Sequence, residues 1–217
     1  MKQLKVFCLV LIFLISRAFP GFSQSKKESH YLFSGFEPAI VYLNTGNVQQ
    51  IDLNYNTLTE EMVFVKNGQY LALANLTSID SVLVQKRKFI PQSGRFYEEI
   101  LAGKTPLYLQ NKNKLIVAGK STGFGATQTS AVDNISNIFS SGKVYNLELG
   151  NEYKLLSENT FWVVKNGEYL RFNSMKDAEK AFPEKQPELK QFVKGNKIKF
   201  NDREKLIELL GFLPGAK

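Results

Sequence analysis

From residue 31 to residue 118, apolar and polar positions alternate in short runs of four to eight residues with turn residues between them. That period of two predicts consecutive antiparallel strands. Residues 39–43 and 48–55 flank the turn Asn44-Thr45-Gly46-Asn47, and residues 62–66 face 69–74 across Asn67-Gly68. The runs 79–85, 96–101, 107–109 and 115–118 continue the meander. Pro91 and Pro106 are expected at strand ends or edges, where no ladder donor is required. The rhythm breaks over residues 119–142, a stretch rich in Gly, Ser, Thr and Asn and nearly free of charge. A loop of that length inside a domain is usually functional or mobile. Val132, Ile135, Ile138 and Phe139 recur in it at three- to four-residue spacing, which predicts a short helix. Strands are expected again at 143–149, 153–156 and, as a second hairpin, 161–172.

Beyond residue 173 the period lengthens to about 3.6. Ser174 with Asp177 resembles a capping box, and Met175, Ala178, Ala181 and Phe182 form an apolar face that Pro183 ends. Pro187 suits the first turn of the next helix, with Leu189, Phe192 and Val193 inward and Gly195 as its stop. Asn201 and Glu204 are expected to cap a third, whose stripe is Leu206, Leu209, Leu210 and Leu213. The predicted class is α+β. An antiparallel, strongly twisted sheet or partial barrel spans residues 31–172, with the insertion at 119–142, and a helical segment at 173–217 packs on it.

One stretch occurs twice: VKNGQYLAL at 65–73 returns as VKNGEYLRF at 164–172. Asn-Gly is the favoured centre of a type I′ hairpin, because both positions need positive φ. A faint upstream echo pairs Tyr55, Leu58 and Glu60 with Tyr153, Leu156 and Glu158, but downstream one copy leads to a strand and the other to a helix. The recurrence reads as one turn recipe used twice.

The N-terminus changes the setting. Lys2 and Lys5 precede an unbroken apolar run over residues 6–15, too short to span a bilayer, and Gly21 and Ser23 suit cleavage before Gln24. Residues 1–23 therefore read as a signal peptide and 24–30 as a polar lead-in. Cys8, the single cysteine, lies within the signal, so no disulfide or thiolate is available afterwards. Export without disulfides points to a bacterial envelope: periplasmic or outer-membrane-associated, or released, with no transmembrane segment in the mature chain. Removing the signal takes away Lys2, Lys5 and Arg17 and no acid, so the charge falls from +8 to +5. Outside the cytoplasm that mild excess does not imply nucleic acid.

Familiar chemistry finds little support. Gly119-Lys120-Ser121-Thr122-Gly123 matches G-x-S-x-G, but the one histidine, His30, lies far upstream and none follows Ser121. The same Gly-Lys-Ser lacks the earlier glycine of a phosphate loop, where Lys114 stands. One histidine and no mature cysteine give no metal-ligand spacing. Glu60-Glu61 and Glu98-Glu99 are adjacent, so each pair points to opposite faces of a strand and reads as solvated charge. No catalytic, cofactor or metal residue is assigned. Lys120, Phe124 and Phe139, on or beside the insertion, are the candidate contact residues, and Lys194, Lys197 and Lys199 are a further basic group.

The stretches IDLNYNTLTEEMVFVKNG, SVLVQKRKFI, FYEEILAG, GFGATQTSAV, VYNLELGNEYKLL and LKQFVKGNKIKFNDREKLIELL resemble a family of exported proteins of unknown function from Bacteroidota, over most of residues 31–213. The resemblance implies an envelope address and no substrate. It also makes Asp80-Ser81-Val82 similar to the O-glycosylation site of those bacteria, with Ser81 as acceptor. The expected function is non-catalytic: binding an envelope protein or glycan, or supporting the envelope. The alternative is an enzyme acting on envelope carbohydrate through two distant carboxylates.

Overall fold

The computed structural model describes residues 29–117, 129–150 and 153–213, and only the backbone of 129–134. The signal segment, Lys120 and Phe124 lie outside the described residues. The first seven strands are β1 (Glu37–Leu43), β2 (Val48–Asn56), β3 (Glu61–Lys66), β4 (Gln69–Ala72), β5 (Ile79–Val84), β6 (Arg87–Gln92) and β7 (Arg95–Leu101). The remaining strands are β8 (Leu107–Gln110), β9 (Asn113–Val117), β10 (Tyr153–Ser157), β11 (Thr160–Lys165) and β12 (Glu168–Arg171). Ten of them form one open antiparallel sheet in the order β12-β11-β8-β7-β6-β5-β1-β2-β3-β4, and β9 pairs with β10 separately. The α+β reading stands.

The pairing carries one face from edge to edge. Trp162 lies opposite Tyr108, Tyr108 opposite Glu99, Glu99 opposite Lys88, Lys88 opposite Leu83, Leu83 opposite Ile40, and Ile40 opposite Gln50. Strand alternation then places Asn54, Val63 and Tyr70 on that same face. The other face carries both large cores. Over β1 to β7 it buries Leu53, Tyr55, Met62, Val82, Phe89 and Phe96. Tyr55 of β2 stacks on Phe89 of β6 at 5.7 Å although β1 and β5 lie between them, so the sheet rolls over its own core. The roll brings the β2–β3 turn to β7, where the Phe96 N–H donates to the Glu60 carbonyl at 3.2 Å.

Over β8, β11 and β12 the core is closed by α2 (Met175–Ala181), α3 (Gln186–Gly195) and α4 (Arg203–Phe212). Leu206, Leu209 and Leu210 of α4 are fully buried, as their spacing predicts; each contributes about 1.5–3 kcal/mol. Ser174 caps α2 by accepting from the Asp177 N–H at 3.1 Å. The α4 cap is Asp202, which accepts from the Lys205 N–H at 3.1 Å, rather than Asn201. Helix α3 does not stop on a left-handed Gly195. Lys197 takes that role at φ 51°, and the Ile198 N–H closes back on the Val193 carbonyl at 3.1 Å.

Three further expectations are corrected. Strand β6 is absent from the periodicity reading because Pro91 interrupts its run; Pro91 lies beyond the part of β6 that pairs with β5. Residues 143–149 are not a strand: left-handed Gly142 (φ 71°) starts a 3-10 turn at Lys143–Asn146, which tucks Val144 inward. Glu98 and Glu60 are not solvated, with 0% and 3% of their surface exposed. The short helix expected in the insertion is present as α1 (Thr129–Ser140). Its Ile135 and Ile138 pack on a third cluster, formed by Leu58, Leu115, Val144 and Leu149.

Candidate functional site: an aromatic cleft beside β4

The chain enters along β2, and side-chain amides fix it there. Asn54 accepts from the Phe33 N–H at 3.1 Å and donates to the carbonyls of Phe33 and Gly35 at 3.0 and 2.6 Å. Thr57 donates both its N–H and its hydroxyl to the His30 carbonyl. His30 is therefore no part of a loose lead-in; it is 4% exposed. The 3-10 turn after α1 approaches from the other side. The Tyr31 hydroxyl donates to the Tyr145 carbonyl at 2.8 Å, and the Tyr145 hydroxyl donates to Glu61 Oε2 at 2.7 Å.

Between these segments and β4 lies a cleft of about 360 Å³. Tyr31, Phe36, Tyr70 and Tyr145 wall it, His30 and Asn54 form part of its lining, and Glu148 is its one carboxylate. The ring planes are inclined rather than stacked. Tyr31 and Phe36 meet at 5.5 Å and 60°, and Phe36 and Tyr70 at 5.9 Å and 57°. Phe36 thus bridges Tyr31 and Tyr70 along the cleft wall.

Charge in the cleft is set by burial. Desolvation pushes the His30 imidazole down to about 4, against the Tyr145 carbonyl, which favours the protonated ring. At neutral pH the ring is uncharged, and its Nε2 has no hydrogen-bond partner. Burial, together with the hydrogen bond and charge of Glu61, pushes the Tyr145 hydroxyl up to about 12. Burial, with Tyr70 next, raises Tyr31 as well. Both phenols stay protonated and keep their single donors on the Tyr145 carbonyl and on Glu61.

A second aromatic group occupies the same sheet face near the other edge. Trp162 stacks on Tyr97 at 6.4 Å, and Tyr108 stacks on Tyr169 at 5.8 Å. The Trp162 indole donates to Gln110 Oε1 at 3.1 Å, and the Gln110 amide donates to Glu60. These rings largely cover one another, Tyr97 and Tyr108 being 8% and 9% exposed.

The residues singled out from sequence lie elsewhere. Phe139 is 39% exposed on α1 and outside the cleft lining. Ser81 is 3% exposed in β5 and donates its hydroxyl to Asp80 at 2.7 Å, which turns it away from solvent in the folded chain. Sequence reading missed His30, Tyr31, Phe36, Tyr70 and Tyr145 as one site. The signal was there in HYLFSGF (residues 30–36), where four of seven positions carry rings beside the expected start of the mature chain. Compared with protein-family models, curated proteins and solved structures, the chain shows no match.

Proposed function

We propose that this is an exported protein of the bacterial envelope that binds a glycan-bearing partner through the aromatic cleft and performs no catalysis there. The observation that carries the reading is the make-up of the lining: the rings of Tyr31, Phe33, Phe36, Tyr70 and Tyr145, polar groups between them and one carboxylate. A pyranose offers an apolar face to a ring and hydroxyls to amides and phenols, and sites of this amphipathic kind suit it. Hydrolysis of a glycosidic bond generally takes a pair of carboxylates about 5–9.5 Å apart. Here Glu98 is committed to Arg87 and Arg203, and Glu60 to Gln110 and Arg95.

The export reading is supported by the Lys-initiated apolar start and by the lack of cysteine after residue 8. Among the described residues no helix is long and apolar enough to cross a membrane. The likeness to exported Bacteroidota proteins favours the same address. The strongly twisted, partly rolled sheet we envisage would hold β2 and β4 as a rigid wall for the cleft. The test is binding of envelope polysaccharide fragments on a glycan array by the mature chain and by Phe36→Ala and Tyr70→Ala variants that keep their melting temperature. Loss of signal in both variants is the expected result; wild-type signal in both would remove the cleft from the function.

A further inference from the structure

We infer that acid opens the cleft: protonation of His30 ejects its ring, detaches residues 30–33 from β2 and releases the bound glycan. The release rests on the reading of the cleft as a glycan site, whereas the opening does not.

The ring is built in as a neutral acceptor. His30 is 4% exposed, and its Nε2 is buried with no hydrogen-bond partner among the described residues. The ring's one hydrogen bond goes to the Tyr145 backbone, so the neutral imidazole keeps its proton on Nδ1 and offers only a lone pair at Nε2. A proton added there is a buried charge without an acceptor, which costs far more than a vacant lone pair. None of the titratable groups around the ring supplies that acceptor. The Tyr31 hydroxyl is committed to the Tyr145 carbonyl, and the Tyr145 hydroxyl to Glu61 of β3. Tyr70 of β4 leans on Phe36, and Glu148, in the cleft lining, is itself engaged. From β2 and the turn after it the neighbours are neutral, Asn54 and Thr57.

The way out is local. The Leu32 N–H donates to the Tyr55 carbonyl at 2.9 Å and the Phe33 N–H to Asn54 Oδ1 at 3.1 Å. The Thr57 N–H and hydroxyl donate to the His30 carbonyl at 2.8 and 2.6 Å. None of these bonds belongs to the ladders that join β1, β2, β3 and β4, so the segment can leave while the sheet stands. Tyr31 leaves with it. That ring is a cleft wall tied to Tyr145 at 2.8 Å, and its departure dismantles the site.

Backbone amide exchange, read by NMR on the mature chain without ligand between pH 8 and pH 5, tests the opening. After correction for the intrinsic pH dependence of exchange, protection of the Leu32, Phe33 and Thr57 amides should fall about thirtyfold. That ratio follows from ring midpoints of 6.5 when solvated and about 4 in place. The three amides should exchange faster than those of Val82 and Phe89 in mid-sheet at every pH, and His30→Phe, which takes no proton, should lose the pH response. Protection that is constant with pH, or equal to that of Val82 and Phe89, would overturn the inference. Signal from envelope polysaccharide fragments on the array should fall from pH 7.5 to pH 5 in wild type and lose that dependence in His30→Phe. Signal that persists at pH 5 would overturn the release. No signal at either pH would bring down the glycan reading alone, and the exchange result would still decide the opening.

Discussion

Tyr70 and Tyr169 occupy the same register position in two hairpins of nearly identical sequence that form the opposite edges of one sheet. Tyr70 lies opposite Val65 and Tyr169 opposite Val164, each one step in from a Lys66–Gln69 or Lys165–Glu168 closing pair. The pairing places both rings on the face away from the two large cores. Tyr70 leans on Phe36 in the cleft, and Tyr169 stacks on Tyr108. One turn recipe thus ends a ten-stranded sheet at both sides with a four-residue strand, and short edge strands limit unwanted pairing.

Both turns require their glycine. Gly68 and Gly167 have φ of +76° and +80°, and a Cβ at either would meet nothing within 4 Å. The cost of Gly68→Val or Gly167→Val is therefore backbone strain alone, about 1–3 kcal/mol. Thermal melts should fall by similar amounts for the two variants. Unchanged melts in both would contradict the left-handed turn geometry.

Most strands, the three C-terminal helices and their buried faces were legible because each depends on local period and turn chemistry. The Asn-Gly hairpins and the Leu206, Leu209, Leu210 and Leu213 stripe are examples. What the sequence hid depends on contacts across long separations. Glu98 looks solvated until Arg87 from a neighbouring strand and Arg203, 105 residues away, converge on it. Likewise Tyr31 and Tyr145 meet across 114 residues. The cleft is assembled by such contacts, so no local window holds it. The insertion drew attention by its composition, whereas the ring-rich residues 30–36 passed as the end of a leader and the start of a strand.

Glu98 ties the sheet to the C-terminal helices. Its carboxylate is fully buried and accepts from Arg87 on β6, from Arg203 at the start of α4 at 2.9 Å, and from Asn111 at 3.0 Å. Burial raises its pKa, but the Arg87 hydrogen bonds and charge, with Asn111 and Arg203, outweigh this and hold it below the ordinary carboxylate value. Glu98→Gln should destabilise the protein by about 3 kcal/mol at pH 7, the low end for breaking a buried pair, because both arginines reach solvent. A lowered carboxylate stabilises above its unfolded pKa, and that contribution is lost as pH falls through the folded value. Urea melts should therefore show the gap between wild type and variant shrinking on the acid side of pH 4. A gap independent of pH would contradict the ion-pair account.

His30 gives the opposite side of acid sensitivity. Its folded pKa is lowered to about 4 from 6.5, so between those values the unfolded chain binds the extra proton. Stability from the neutral ring is complete above pH 6.5 and falls as pH drops toward 4. The total is on the order of 3 kcal/mol, at 1.36 kcal/mol per pH unit. His30→Gln should be less steeply destabilised than wild type over that window and parallel to it above pH 7. As the chain has one histidine, its ring proton signal in NMR reports the pKa directly. A midpoint near 6.5 would show that the ring is solvated.

Helix α1 separates two roles within the insertion. Ile135 and Ile138 face Leu58, Leu115, Val144 and Leu149, whereas Phe139 is 39% exposed. Full truncation of a buried isoleucine costs about 2–5 kcal/mol, and these two are half-buried, so Ile135→Ala and Ile138→Ala should each cost about 1–2 kcal/mol. Phe139→Ala should stay within about 0.5 kcal/mol of wild type, as exposed positions do. The contrast matters for the cleft. Val144 belongs to this same cluster, and the next residue, Tyr145, is a cleft wall whose carbonyl holds the Tyr31 hydroxyl at 2.8 Å. Loosening α1 should therefore weaken glycan binding in the isoleucine variants and leave it unchanged in Phe139→Ala. If instead Phe139→Ala abolished binding at unchanged stability, the contact surface would lie on the exposed side of α1 and the cleft would lose its assignment.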